Sequence, residues 1–527
     1  MVSLSSNKYA YRESSLMKVL GTMEVSAAAT WFCVGLVLYC SVLIQHLTSE
    51  AECRAHNGKQ NVYKCPKECI CDRRSQTVNC SNAGLQAVPT KIEPDTLSLI
   101  LDGNKFPHLT RGFFRNLPLL RNLSMRHCQI NTVRIAALSR FNKSLRALWM
   151  SNNPFAKRTY KFLIYLEGVD YLDMSSTNMK TYHRYYSGFF NLKYFFLANN
   201  SIAEFPGDIL SPSLVFLDLS RNCIRRIFVD SEKNQNISLT QLILKANAIQ
   251  ELNDDTFRHF SHLEDIDLSY NQLSDIQPLA LRSTSLKIID LCRANFSFNR
   301  NNSRIFQEAQ NIERINMSFS RIESWNLTVA PFHNLLKLTD LDLSGTGISS
   351  LSHMLADLPN LKRLRLSSNL ILTLERADLE SIEDSLRELD VSSGKLSTIS
   401  FESLPLKVWR NVRVVDFSDN PFLCDCNFIW LRRWLKRAKA SKVEVRGWDK
   451  YYCQTSKGQV SLFQLESPSD VECFQDPLFK DPCVVVVILL TVLIWISAST
   501  ASAVHRFRWH LSYWYFMKTV SALNEYF

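Results

Sequence analysis

Glycine is scarce in this chain, at 14 of 527 residues, about 3% where ~7% is usual. Loops that cradle phosphates or bring a dinucleotide against the backbone need glycine, so the shortage counts against a nucleotide-dependent enzyme. The strings H-E-x-x-H and G-x-S-x-G and the P-loop are missing too. The histidines are scattered without a base–nucleophile arrangement. No catalysis, cofactor or resident metal is therefore expected. Charge of one sign is not in great excess: a net +11 over this length permits an acidic partner without requiring one, and nucleic acid is not indicated.

Long apolar runs are limited to two. Val484 to Val504 carries no charge over 21 residues, and at ~1.5 Å per residue it matches a bilayer core. His505, Arg506, Arg508 and His510 follow it, so its C-terminal end is expected in the cytosol. Trp509, Tyr513, Trp514 and Tyr515 are interface aromatics. Ala27 to Ile44 is the second run, with Lys8, Arg12 and Lys18 before it. It reads as a secretory signal with a long leader, or alternatively as an uncleaved signal anchor. Everything between the runs is expected outside, or in a lumen continuous with the outside. Asn-x-Ser/Thr occurs at Asn79, Asn122, Asn142, Asn199, Asn236, Asn295, Asn301, Asn316 and Asn326, all between the runs. Several of these are expected to carry glycans.

Cysteine is abundant, and eight of the 15 residues form two groups. Cys65, Cys69, Cys71 and Cys80 precede a long cysteine-poor stretch; Cys424, Cys426, Cys453 and Cys473 follow it. No histidine sits at ligand spacing for zinc, so disulfides in an oxidising compartment are the better reading. Pairing within each set of four remains open at this point.

The dominant signal is self-similarity. Leu214, Leu217, Leu219, Asn222 and Ile224 recur as Leu239, Leu242, Leu244, Asn247 and Ile249, and again as Leu263, Ile266, Leu268, Asn271 and Leu273. The pattern L-x-x-L-x-L-x-x-N-x-L is the leucine-rich-repeat signature. Fourteen copies start at Thr96, Leu120, Leu145, Val169, Leu192, Leu214, Leu239, Leu263, Leu286, Ile312, Leu338, Leu361, Leu386 and Val412, spaced 22 to 26 apart.

Each x-L-x-L-x core predicts a short strand with leucines inward and x residues outward. One coil cannot bury its own leucines; stacked coils can, while pairing their strands into one parallel sheet. The expected fold is thus an α/β repeat, a leucine-rich-repeat solenoid (horseshoe) with disulfide caps at both ends, plus one transmembrane helix.

Asn104, Asn153, Asn200, Asn222, Asn247, Asn271, Asn369 and Asn420 form an asparagine ladder whose amides are expected to bond backbone groups of adjacent coils. Cys128, Thr177, Ser320 and Thr346 replace asparagine with smaller polar groups. Ala294 and Gly394 have none, so local irregularity is expected there. Phe113, Phe114, Leu117, Phe257, Phe260 and Phe332 are expected to pack as a spine beneath the outer face. Trp430, Leu431, Trp434, Leu435 and Ala438 stand at helical spacing and suit a cap helix. Arg432, Arg433, Lys436, Arg437 and Lys439 on its other side read as solvated, or alternatively as a contact for acidic lipid or ligand.

The expected organisation is 1–49 signal or anchor, 50–95 N-terminal cap, 96–422 repeats, 423–482 C-terminal cap, 483–504 transmembrane helix and 505–527 tail. The capped repeats, the single span and the basic, aromatic juxtamembrane stretch together resemble the Toll-like receptors over roughly Cys65 to Phe516. The resemblance implies that Cys424 pairs with Cys453 and Cys426 with Cys473. It also implies an innate immune receptor of the inflammatory response that recognises microbial molecules and forms a homodimer, or a heterodimer with another Toll-like receptor. Members of that family signal through a cytoplasmic TIR domain. Here 23 residues, His505 to Phe527, follow the apolar run, so a truncated or decoy-like form is expected. A cell-surface adhesion or co-receptor protein binding another protein in trans is the alternative.

Ligand would meet the outward strand positions. These include Asp173, Asp218, Asp267, Asp290, Asp342, Asp390 and Asp416, with Asp265, Asp340 and Glu388 across the strand and Arg314, Arg363 and Arg365 as exceptions. Like charge disfavours laying a polyanion along such a face. The plainer reading of these aspartates is solvated filler of the repeat.

Overall fold

The computed structural model describes residues 65–114, 116–156, 159–181, 191–229, 237–298, 304–322, 331–351, 354–424, 426–455, 458–463 and 482–523. The expected signal segment, Cys473 and the sequons Asn236, Asn301 and Asn326 lie outside the described residues.

Each of the fourteen repeat registers forms a three-residue strand, from Ser98–Ile100 to Val414–Asp416. Successive strands pair in parallel with matched register: Phe216, Leu217 and Asp218 stand beside Gln241, Leu242 and Ile243, and these beside Asp265, Ile266 and Asp267. The central residue of each strand is at most 2% exposed. Burying each such side chain is worth roughly 1.5–3 kcal/mol, and only stacking with the next coil achieves it. Beyond the main sheet, short parallel pairs such as Glu251–Leu252 with Asp275–Ile276 repeat farther along the coil.

Strand ends turn sharply. In every coil the residue before the ladder position has positive φ, and only Gly103 and Gly345 are glycine there; the others include His127, Asn152, Arg221, Tyr270 and Phe319. The glycine-poor sequence thus makes its left-handed turns with ordinary residues.

The ladder residues hold these turns. Asn153 donates to the carbonyls of Met125 and Met150, both at 2.8 Å, and accepts from the backbone N–H of Cys128 and Ile130 at 2.9 and 3.0 Å. Asn104, Asn200, Asn222, Asn247, Asn271, Asn369 and Asn420 repeat this pattern between adjacent coils. Cys128, Thr177, Ser320 and Thr346 each donate to a backbone carbonyl instead.

The irregularity expected at Ala294 and Gly394 is not seen in the sheet: strands Ile288–Asp290 and Glu388–Asp390 pair with both neighbours in register. At Ala294 the backbone carbonyl takes over, accepting Leu273 N–H at 2.7 Å. The orphan donor needs an acceptor, and a main-chain oxygen serves as well as an amide.

On the outer side Phe106, Phe113, Phe114 and Phe141 form an edge-to-face chain with centroids 5.1–5.7 Å apart. Phe257 with Phe260 and Phe306 with Phe332 continue the aromatic packing farther along.

Both ends of the sheet are closed. Cys65 is bonded to Cys71 and Cys69 to Cys80. The hairpin Ile70–Asp72 and Thr77–Asn79 extends the sheet by pairing with Ser98–Ile100. At the other end Cys424 is bonded to Cys453, and strand Glu444–Val445 pairs with Val414–Asp416. The cap helix Cys426–Ala440 buries Leu431, Leu435 and Ala438 against the last coil. Trp430 donates its indole N–H to Ile399 O at 2.9 Å, and Trp409 meets Trp430 and Trp434 at 4.8 and 4.7 Å. Arg433, Lys436 and Arg437 are exposed, whereas Arg432 is half-buried.

The C-terminal helix runs unbroken over Pro482–Leu523. It is longer than the apolar run, because nothing between His505 and Leu523 breaks a helix; no proline or glycine occurs there. Lys518 lies over the Trp514 ring at 4.4 Å.

Candidate functional site

The outward residues of the strands make one continuous surface on the sheet side of the coils. The third residue of a strand is often aspartate, and its recurrence has a local cause. Asp173, Asp218, Asp267, Asp290, Asp342, Asp390 and Asp416 each accept, through Oδ1, the backbone N–H two residues on, at 2.8–3.0 Å. This terminates the strand and satisfies a donor that the turn would otherwise leave bare. These aspartates are structural acceptors rather than solvated filler; the second oxygen is met by Arg126 at Asp173, by Asn316 at Asp290 and by Arg365 at Asp342.

The acids at the first strand position do not make that bond, and their surroundings differ. Asp340 is bound by Arg363. Glu388 is held by Arg446 at 2.8 Å and Arg365 at 3.5 Å, and Arg365 also reaches Asp342 at 3.8 Å. In the C-terminal part of the face Asp340, Asp342 and Glu388 are therefore paired with cations, whereas Asp390 and Asp416 form no ion pair among the described residues. Asp265 has no such cation. It is 6% exposed, Gln241 Nε2 approaches its Oδ2 at 3.4 Å, and its Oδ1 is buried without a hydrogen-bond partner.

Asp218, Asp265, Asp267 and Asp290 form no ion pair among the described residues. Burial, then the charge of Asp267, push the Asp265 carboxyl up to about 7; the same two causes push Asp290 up to about 6. Burial also raises Asp218. Among the described residues no group of three or more His, Cys, Asp or Glu is arranged to hold a metal ion.

Next to this acidic segment lies a feature the repeat pattern did not announce. Trp149, Tyr171, Phe196 and Phe216 alternate between the third and first positions of four successive strands. Their rings touch in a zigzag with centroids 5.0–5.1 Å apart. Tyr194, 41% exposed, flanks it at 6.2 Å from Tyr171. Arg126 closes the N-terminal end, 5.6 Å over the Trp149 ring and 3.8 Å from Asp173. All four rings of the zigzag are half-buried, with faces left on the outward side of the sheet. Aromatic residues recurring at outward positions across coils were the available signal. Reading outward positions for charge alone passes over it.

On the adjoining edge, Tyr270, Arg293 and Phe319 occupy the positive-φ turn of successive coils and are exposed. Arg293 lies 4.4 Å over the Phe319 ring and Lys245 lies 5.2 Å over Tyr270.

The described sequons fall in two environments. Asn199 and Asn295 are exposed at positive-φ turns, and Asn79 and Asn142 are partly exposed. Asn122 and Asn316 stand on the sheet face, where Asn316 Nδ2 donates to Asp290 Oδ2 at 3.0 Å. Cys426 lies in the cap helix, and its expected partner Cys473 is outside the described residues.

Comparison with known proteins agrees with this architecture. The leucine rich repeat family model matches residues 237–296. Horse Toll-like receptor 9 is 30% identical over 276 residues, which is 48% of this chain and 25% of that protein. Mouse CD180 antigen is 25% identical over 401 residues, 64% of this chain and 59% of its own length. The chain thus spans a quarter of the horse receptor and less than two thirds of the mouse antigen. Among solved structures, the Drosophila Toll–Spatzle complex superposes with a TM-score of 0.56 at 19% identity, covering 75% of this chain and 55% of that one. The chain is a leucine-rich-repeat protein with relatives among the Toll-like receptors.

Proposed function

We propose that this leucine-rich-repeat chain is a receptor of the Toll-like type, which binds microbial molecules of innate immunity through the outward face of its sheet. The observation that carries this reading is the strip from Trp149 to Asp290, where contacting rings adjoin Asp218, Asp265, Asp267 and Asp290, which form no ion pair among the described residues. The buried, unpartnered Oδ1 of Asp265 costs stability and serves no turn, which is the expected signature of a binding surface. The apolar helix anchors the chain in a bilayer with the repeats outside and the C-terminus in the cytosol. Pairing of two copies, or with a Toll-like receptor, completes the reading.

The test is binding of microbial fractions to the full chain in detergent micelles, with Phe196→Ala/Phe216→Ala as the comparison. Retention of a fraction by the parent and not by the variant supports the reading. Equal retention by both places any binding elsewhere. The same face also suits a protein displayed by a neighbouring cell. Aggregation of cells expressing the chain with cells that lack it, in the absence of microbial material, distinguishes this adhesion or co-receptor role.

A further inference from the structure

The two halves of the sheet face differ in how their charges are balanced. From Asp340 onward, Arg363, Arg365 and Arg446 lie within ion-pair distance of Asp340, Asp342 and Glu388. Asp218, Asp265, Asp267 and Asp290 have no equivalent ion pair among the described residues. Three of them stand at third strand positions, each with one carboxylate oxygen occupied by its own backbone, and at Asp290 the other accepts from Asn316 Nδ2 at 3.0 Å. The fourth, Asp265, is more than nine-tenths buried on the same face and has a bare Oδ1. Nearby cations are few. Arg314 acts on Asp265 and Lys245 on Asp290 without either making an ion pair among the described residues. A buried carboxylate oxygen with no partner costs free energy that an incoming cationic donor returns.

The acidic segment is also continuous with the aromatic zigzag. Asp218 occupies the same strand as Phe216, and the next strands add Ile243 and Ile288 between the acids. A ligand lying across these strands meets ring faces first and carboxylates next. Adjacent strands are separated by roughly 4.8 Å and alternate side chains of an extended chain by roughly 6.6 Å, so a short extended segment spans both zones. A polyanion is repelled by this surface, whereas a bare inorganic cation has no apolar surface to bury on the rings.

We propose that the strip from Trp149 to Asp290 is a docking site for a polypeptide segment carrying basic and apolar side chains. The apolar groups lie on Trp149, Tyr171, Phe196 and Phe216, and a lysine or arginine enters among Asp218, Asp265, Asp267 and Asp290. This rests on the sheet face being the ligand-binding face and adds the chemistry of what it takes.

The test uses the full chain in detergent micelles and three short fluorescent peptides. One combines lysine with leucine and phenylalanine, the second has glutamate for lysine, and the third has serine for the apolar residues. Fluorescence anisotropy is expected to show binding of the first peptide and at least about tenfold weaker binding of the other two. Asp218→Asn/Asp290→Asn is expected to lose at least about tenfold for the first peptide, and Phe196→Ala as much. Thermal melting of each variant verifies that the repeats remain folded, and Phe196→Ala serves as the independent arm should the carboxylate variant melt early. Equal binding of the acidic peptide, or retention of the basic–apolar peptide within about twofold by both folded variants, overturns the proposal. Loss of microbial-fraction binding in Phe196→Ala/Phe216→Ala, with no binding of the basic–apolar peptide, overturns this inference while leaving the binding face intact. Unchanged fraction binding in that double variant rejects the face itself.

Discussion

Replacing Asp265 by asparagine should stabilise the protein at neutral and alkaline pH and leave it unchanged in acid. The carboxyl is 6% exposed with a bare Oδ1, and burial together with Asp267 and Asp290 outweighs the attraction of Arg314 to push it up to about 7. In the unfolded chain it returns to about 3.9. Below that value the group is protonated in both states and costs nothing. As pH rises from there, the unfolded state ionises first and binds fewer protons than the native state, so stability falls. Above the folded value the loss is complete, at on the order of 4 kcal/mol for this shift. Asparagine keeps the shape and cannot ionise. Thermal melts at low and high pH are the assay. The variant's gain in Tm over the parent should be near zero at about pH 4 and several degrees at about pH 8. A gain independent of pH, or a variant that melts lower than the parent in alkali, refutes the reasoning.

Asn153→Ala removes three donor and two acceptor contacts at a fully buried position, and should cost about 3–5 kcal/mol in denaturant unfolding. Cys424→Ser/Cys453→Ser opens a bridge between residues 29 apart, and should lower stability by about 3–4 kcal/mol; reducing the parent, which also opens Cys65–Cys71 and Cys69–Cys80, should cost more. Asn199→Gln should abolish one glycan-dependent gel shift, since Asn199 is exposed. Asn316→Gln should not, since Asn316 is half-buried on the sheet face.

The repeat was legible because its phase is written in chemistry that tolerates little substitution. Leu217, Leu242 and Ile266 must be apolar to fill the coil, and Asn222, Asn247 and Asn271 must carry both donor and acceptor. Strand position follows directly from these. Two matters escaped. The role of Asp218 and its equivalents depends on a bond to a backbone N–H two residues later, and a carboxylate in the same string suits solvent equally well. The contact of Trp149 with Tyr171, and of Phe196 with Phe216, depends on registry across coils of unequal length. It appears only once the strands stand side by side. Ala294 shows the converse: missing an amide looked disruptive, yet a main-chain carbonyl substituted for it.

The left-handed residue before each ladder position bears on how such a chain acquires its structure. A non-glycine residue in that conformation is disfavoured by roughly 1–2 kcal/mol, and twelve of the fourteen coils carry one. None of these twelve coils therefore prefers its own bend; each is bent by the main-chain bonds it makes to the coil beside it. Order must spread outward from a seed of several adjacent turns, and a single excised turn would straighten. Amide hydrogens at the middle of the array should accordingly exchange last, with protection declining stepwise toward the two covalently clasped ends.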